Sequence, residues 1–227
     1  MCKKSFNELK INRRTFDRLN KKFEKIILNP PKVIKSYYQV ILDAVFVSKD
    51  SCYLIASDGK YPITWLKCKT ENAKLWVDFL RKIPPPKFAV CDGQRGLTFG
   101  LDLCWNQTKV QRCQFHVMLN CRQKLTLKPM TEMGRELKYL VSLITQTNSF
   151  DKVKAWGEYL FSLGEKYKKY LSERTYQENG KWEYTHRRDR SCYYQLTRLF
   201  NSGDLFRCIT EFCFNISKIT NSLEGGI

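Results

Sequence analysis

A run of apolar residues with a single acid in its middle constrains this sequence more than any other feature. Residues 37–47 read YYQVILDAVFV, and a nearly continuous apolar run of this kind is typical of a central strand buried on both faces of a sheet. Asp43 lies inside the run, where an ionised carboxylate is costly unless a cation compensates it. We therefore expect a sheet-based fold whose central strand carries a functional acid.

The sequence after this run alternates between strand and helix patterns. Turn residues at 48–51 and 58–60 predict two hairpins that lead into strands over 52–56 and 62–67. The patterns that follow predict a helix, a short buried strand, a second helix and a last strand, over residues 71–83, 88–91, 93–105 and 110–115. The order βββ-α-β-α-β predicts three antiparallel strands followed by parallel additions to one mixed sheet.

Helical patterns dominate the sequence from residue 117 onwards. The strongest helices are predicted over 132–147 and 150–172, and a polar, aromatic stretch over 176–194 precedes shorter helices over 193–200 and 205–214. At the other end, residues 1–28 combine a helical apolar spacing with many Lys and Arg residues, which fits either part of a DNA-binding head or a solvated arm. Asn29, Pro30 and Pro31 then mark a boundary.

Net charge points to a polyanionic partner. The chain has 40 Lys and Arg residues against 22 Asp and Glu residues, a formal charge of +18, and nucleic acid is the commonest polyanion in a cell. No apolar run approaches the roughly 18 residues that a membrane span needs, and the start lacks the apolar core of a secretory signal. The ten cysteines include no CxxC pair, so we expect reduced thiols and a cytoplasmic, nucleoid-associated protein.

Two acids and a histidine are the candidate catalytic residues at the predicted sheet edge. Asp92 follows the strand over 88–91, so Asp43 and Asp92 would share a cleft if their strands are adjacent, and two carboxylates are half of a site for a hard divalent cation. Asp92 could instead cap the helix that follows. Cys113 and His116 are predicted at one strand end, where the spacing does not favour a zinc site and His116 suits hydrogen bonding or proton handling.

Two further segments carry candidate residues. Residues 182–194 interleave arginines with Trp182, Tyr193 and Tyr194, which fits either phosphate contacts with base stacking or a surface turn over packed aromatic rings. Near the end of the chain, Asn221 is typical of a helix N-cap, and Glu224 would then lie in the first turn, where its charge also suits the helix dipole.

Six segments together resemble DDE transposases of the Mutator-like type, of the kind found in bacterial insertion sequences. The segments are ILDAVFV, LIASDGKYPITW, FAVCDGQRGL, QRCQFHV, WEYTHRRDRS and TNSLEGG. The resemblance implies an α/β (α+β) fold, an RNase H-like mixed sheet flanked by helices, with an all-helical insertion domain between the second Asp and the Glu. The corresponding parts are a basic helical segment, the catalytic core, the insertion and the start of a Glu-bearing helix, over residues 1–30, 31–117, 118–215 and 216–227.

The resemblance also implies the chemistry. Asp43, Asp92 and Glu224 would hold two Mg²⁺ (or Mn²⁺) ions, with His116 as a further catalytic residue, for cleavage and strand transfer of DNA. The DNA, as transposon ends and target duplex, would be bound by a homo-oligomer, and the DNA-binding residues would be Arg95, Arg112, Trp182, His186, Arg187, Arg188 and Arg190.

The sequence departs from this family at both ends. It stops three residues after Glu224 and carries a short basic segment ahead of the core, so we expect a truncated copy that binds DNA and cleaves it poorly. Two alternatives remain open at this point: a non-catalytic DNA-binding regulator derived from a transposase, and an RNase H-like nuclease acting on RNA, against which the helical insertion argues.

Overall fold

A five-stranded mixed sheet organises the protein. The computed structural model describes residues 29–211 and 216–220, and the sheet has the order β3-β2-β1-β4-β5. Strand β1 pairs antiparallel with β2 and parallel with β4, which confirms the mixed sheet that the sequence predicts, while its RNase H-like assignment stays a prediction. The strands are β1 (Gln39–Ser48), β2 (Ser51–Ser57), β3 (Pro62–Cys68), β4 (Phe88–Cys91) and β5 (Lys109–Arg112).

Helices cover both faces of this sheet. Several begin at a side chain that accepts a backbone N–H of the first turn, as Asn72 does from Leu75 and Thr131 from Gly134. The helices are α1 (Ala73–Leu80), α2 (Arg95–Cys104), α3 (Gln114–Leu125), α4 (Glu132–Ser142), α5 (Phe150–Lys166), α6 (Lys168–Ser172), α7 (Arg187–Asn201) and α8 (Arg207–Thr210).

Each face of the sheet belongs to a separate hydrophobic core, because side chains alternate along a strand. Val40, Leu42 and Ala89 pack with residues of α1 and α2 on one face. Ile41 and Val90 lie on the other face, in one continuous cluster with residues of α3 to α8. The helical segment after β5 is therefore packed directly on the sheet, on the face opposite α1 and α2.

The segment expected to be all-helical, 118–215, contains a β-hairpin. Strands β6 (Arg174–Tyr176) and β7 (Trp182–Tyr184) pair antiparallel. The hairpin forms because residues that favour strands flank a turn at Asn179 and Gly180: Gly180 adopts a φ of +76°, and the Asn179 side chain accepts the Lys181 N–H. The Asn-Gly pair was the signal in the sequence for this turn.

The predicted strand over 110–115 is too long. Strand β5 ends at Arg112, Cys113 is the N-cap of α3, and His116 lies in the first turn of that helix rather than at a strand end. The apolar pattern of this stretch resembles a strand, and Cys is not a usual N-cap residue, so the sequence carries no start signal for the helix.

Other predicted bounds also shift. The helix predicted over 150–172 is divided at Tyr167, and α7 begins at Arg187 instead of 193. The predictions for residues 1–28, Asn221 and Glu224 lie outside the described residues, as does part of the helix predicted over 205–214. Across the described ranges, no helix is long and apolar enough to cross a membrane.

Candidate active site at the sheet edge

Asp43 and Asp92 come together at one edge of the sheet. Leu42 of β1 is paired in parallel register with Cys91 of β4, so the two acids are the next residues along neighbouring strands, which run about 4.7–4.9 Å apart in a sheet. Asp43 lies on the same face as Ile41, and Asp92 continues the face of Val90. The adjacency on which the sequence analysis depended is confirmed, and both acids belong to the side of the sheet that α3 covers.

The carboxylate of Asp43 is buried and incompletely paired. Its side chain is 6% exposed, Oδ1 accepts the Ala44 N–H at 2.9 Å, and Oδ2 is buried without a hydrogen-bond partner among the described residues. Burial raises the pKa of Asp43 to about 6, and the charge of Asp92 adds to this, against the lowering effect of the Ala44 N–H, His116 and Thr220. A cation at Oδ2 would compensate this desolvation, so the environment fits a metal ligand.

Asp92 is held by the turn that it begins. Its Oδ1 accepts the Gln94 N–H at 2.9 Å, and its backbone oxygen accepts a hydrogen bond from Nη2 of Arg112 at 2.6 Å. Gly93 has a φ of +78°, and a Cβ atom there would lie 1.6 Å from the guanidinium carbon of Arg112. Arg112 thus packs against the turn and fixes the backbone of Asp92. The N-cap of α2 is Gln94, so the alternative in which Asp92 caps this helix is wrong; Asp92 accepts the Gln94 N–H within the preceding turn, which is compatible with a role at the sheet edge.

His116 places a positive charge beside the two acids. Its hydrogen bond with Cys113 raises the pKa of His116 to about 9, with further contributions from the charges of Cys113, Asp43 and Asp92, and these together exceed the opposing effect of burial. Burial favours the neutral thiol of Cys113, but hydrogen bonds from His116 and Thr220 lower the pKa of Cys113 below its ordinary value. His116 is therefore protonated at neutral pH and acts as a counter-ion within the site.

Two of the three acids of the expected metal site lie in the described part of the chain. There, no group of three or more His, Cys, Asp and Glu side chains is arranged to hold a metal ion. Asp43 and Asp92 supply two ligands of the required oxygen chemistry. Glu224, the third ligand that the resemblance implies, lies outside the described residues.

The candidate DNA-binding residues fall into two groups. Arg95 and Arg112 belong to the sheet edge: Arg95 is exposed at the start of α2, three residues after Asp92, whereas Arg112 is half-buried against the Asp92 turn. The others lie on the β6–β7 hairpin and the start of α7. Arg112 is thus placed to support Asp92, and Arg95 to meet a ligand in solvent.

Arginine and aromatic side chains stack on one another in the hairpin group. The guanidinium of Arg190 lies 3.6 Å from the ring centre of Tyr184 and 4.5 Å from that of Tyr194. The side chain of Arg174 lies 4.0 Å from the ring centre of Trp182, which is 44% exposed. Trp182 therefore keeps an accessible ring surface, while Arg190 is used to hold the hairpin against α7.

The remaining side chains of the hairpin group differ in the contacts that they make within the protein. His186 stacks on Tyr170 with ring centres 3.5 Å apart and pairs with Glu173 at 3.0 Å. Arg187 pairs with Glu183, and Arg188 is exposed. Arg188 is consequently the hairpin-side arginine best placed for a phosphate contact.

Sequence reasoning missed Thr220. This residue is fully buried, its backbone N–H donates to Sγ of Cys113 at 3.3 Å, and its hydroxyl lies 3.4 Å from Nδ1 of His116. Its position four residues before Glu224 is visible in the sequence, but the partner residues lie more than a hundred residues away, so no local pattern identifies the contact.

The sequence was compared with known proteins. A family model described as "Transposase, Mutator family" matches residues 31–186, which include β1 to β7, Asp43, Asp92 and His116. No curated protein matches the sequence.

Replacing Asp43 with Asn should stabilise the metal-free protein at neutral pH. The pKa of Asp43 is about 6 in the folded protein and 3.8 in the unfolded chain, so between these two pH values the folded protein binds more protons at Asp43. The free energy of unfolding therefore falls as the pH rises through this range. Removing the charge should raise the free energy of unfolding by about 1–3 kcal/mol. The measurement is chemical unfolding in the presence of a chelator, and the gain should shrink as the pH is lowered through the same range.

Asp92→Asn is the matched control for this prediction. Asp92 is partly exposed, so the same chemical change should alter stability less than it does at Asp43. An Asp43→Asn variant that is less stable than the wild type at neutral pH would contradict the account of an undercompensated buried carboxylate.

Proposed function

The chain belongs to the Mutator family of transposases, and we propose that it cleaves DNA at transposon ends and transfers the strands to target DNA by a metal-dependent DDE mechanism. The observation that carries the proposal is the juxtaposition of Asp43 and Asp92 at the ends of two paired parallel strands, on the side of the sheet that α3 and His116 cover. Glu224 is proposed as the third acid on the basis of its sequence motif.

The chemistry of the two acids supports a divalent cation. Oδ2 of Asp43 is a buried oxygen without a hydrogen-bond partner in the described structure, and carboxylate oxygens are the ligands that Mg²⁺ and Mn²⁺ prefer. We propose that Asp43, Asp92 and Glu224 hold two such ions, which when bound would activate the attacking water or 3′-hydroxyl and stabilise the leaving oxygen.

The remaining residues of the edge have supporting roles in this proposal. Arg112 fixes the Asp92 backbone, so that the carboxylate keeps its direction as substrate arrives. His116 retains its proton at neutral pH and offers a positive charge to a phosphate oxygen close to the acids.

The charge of the chain supports a long DNA contact. The surplus of +18 exceeds what solubility alone requires of a domain of this size. Exposed Arg95 at the start of α2 and exposed Arg188 at the start of α7 give the backbone of a duplex two points of contact. Trp182 is proposed to stack on a base that leaves the duplex, and a homo-oligomer is proposed to bring two DNA ends together.

The direct test is strand cleavage of duplex DNA taken from the two flanks of the coding sequence. Nicking should require Mg²⁺ or Mn²⁺ and should fall to the level of a buffer control in Asp43→Asn and in Asp92→Asn, because either change removes a metal-binding oxygen. DNA affinity of the two variants, measured by fluorescence anisotropy, should stay within about threefold of the wild type. The two changes affect the chemical step, which is separate from the binding of the DNA substrate.

Nicking that persists in the Asp43→Asn/Asp92→Asn double variant would contradict the proposed mechanism, as would nicking that is unchanged by a chelator. DNA binding by the wild type without any nicking above the double variant would instead identify a non-catalytic DNA-binding protein.

Arg188 and Arg190, both near the start of α7, should behave differently when they are replaced. Arg188→Gln should reduce the slope of log affinity against log salt concentration by about 0.9, the value for one phosphate contact. Arg190→Gln should instead lower the melting temperature, because it removes the stacking on Tyr184 and Tyr194 and the hydrogen bond to the Leu171 carbonyl. A salt titration and a thermal unfolding curve for each variant check this, and identical slopes for wild type and Arg188→Gln would place the DNA elsewhere.

A further inference from the structure

The segment Ile216 to Thr220 returns the chain from the helices to the sheet edge, and packing and hydrogen bonds hold it there. Ile216 is buried in the core that the sheet shares with the helices. The Ser217 N–H donates to Oε1 of Gln39 at the start of β1, at 2.9 Å, and the Lys218 carbonyl accepts the Gln114 N–H at the start of α3, also at 2.9 Å. This segment therefore joins β1 to the first turn of α3.

Thr220 is the point where the segment meets the candidate active site. Its hydroxyl donates to Sγ of Cys113 at 3.6 Å and lies 3.4 Å from Nδ1 of His116, whose protonated ring can donate to it. The backbone N–H of Thr220 makes a second contact with the same Sγ atom at 3.3 Å. The buried Thr220 side chain thus links the N-cap residue Cys113, the ring of His116 and the segment from Ile216 to Thr220.

We propose that Thr220 is a positioning residue, whose hydroxyl bridges Cys113 and His116 and thereby fixes His116 and the returning segment against the Asp43–Asp92 edge. The inference rests on the proposed function for its catalytic consequence. A valine at this position keeps the volume but offers no hydroxyl, so His116 and Cys113 would each lose a partner in a buried environment. A small displacement of His116 would then act on the reacting groups.

The chain contains two histidines, which makes the arrangement directly observable. We compare Thr220→Val with Thr220→Ser, which keeps the hydroxyl, and with Lys218→Gln, a change in the same segment that leaves the Thr220 hydroxyl and the Ser217–Ile219 hydrogen bonds in place. The first readout is the ¹⁵N spectrum of the histidine rings of the full chain, in which His186 is an internal reference because it contacts Tyr170 and Glu173 instead.

Thr220→Val should shift the Nδ1 resonance of His116 and leave that of His186 in place, whereas Thr220→Ser and Lys218→Gln should retain the wild-type His116 resonance. The second readout is metal-dependent nicking, which should fall about 10- to 100-fold in Thr220→Val with unchanged DNA affinity and be restored in Thr220→Ser.

Each result that overturns the inference is distinct. An unchanged His116 resonance in Thr220→Val would show that the hydroxyl bridge is absent, and a shifted resonance with wild-type nicking would show that the bridge does not position catalytic groups. Nicking by the wild type that equals nicking by Asp43→Asn would overturn the proposed function itself, and with it the catalytic part of this inference.

Discussion

Parallel pairing of β1 with β4 is the constraint on which the site depends. The register that sets Leu42 opposite Cys91 brings Asp43 and Asp92 to the same edge and, through side-chain alternation, to the same face. A shift of one residue in either strand would move one acid to the opposite face, into the core formed with α1 and α2. The hydrophobic pattern of the two strands, which fills a separate core on each face, is therefore also what holds the acids together.

Asp43 shows how the fold accepts a locally unfavourable residue. Its carboxylate interrupts an apolar strand, its pKa is raised to about 6 by burial, and one oxygen is unpaired in the described structure. The surrounding sheet and α3 supply the stability that permits this, and His116 supplies part of the compensating charge. Unfavourable free energies of this kind are common at functional sites, because a group whose hydrogen bonds are all made within the protein is not available to a metal or a substrate.

The sequence predicted those parts of the protein that depend on local patterns. The mixed sheet follows from alternation and turns, and the family follows from short motifs. The adjacency of the strands that carry Asp43 and Asp92 was only a condition of the sequence argument, and the pairing of β1 with β4 meets it. His116 was predicted at a strand end but lies in the first turn of α3, because the preceding residues have a strand-like apolar pattern and Cys113 is not a usual N-cap residue. The β6–β7 hairpin was missed because its strands are only three residues long each, too short for periodicity to distinguish them from loop.

Divalent cation binding at the Asp43–Asp92 edge is the central claim, and Mn²⁺ titration followed through the ring-proton signals of the two histidines tests it most directly. His116 interacts electrostatically with both acids, whereas His186 lies against Tyr170 and Glu173. The paramagnetic ion should therefore broaden the His116 signal at low Mn²⁺ concentrations while the His186 signal stays sharp, and the Asp43→Asn/Asp92→Asn double variant should lose this selectivity. Equal broadening of both histidines in the wild type, or selective broadening of His116 that survives in the double variant, would contradict the account.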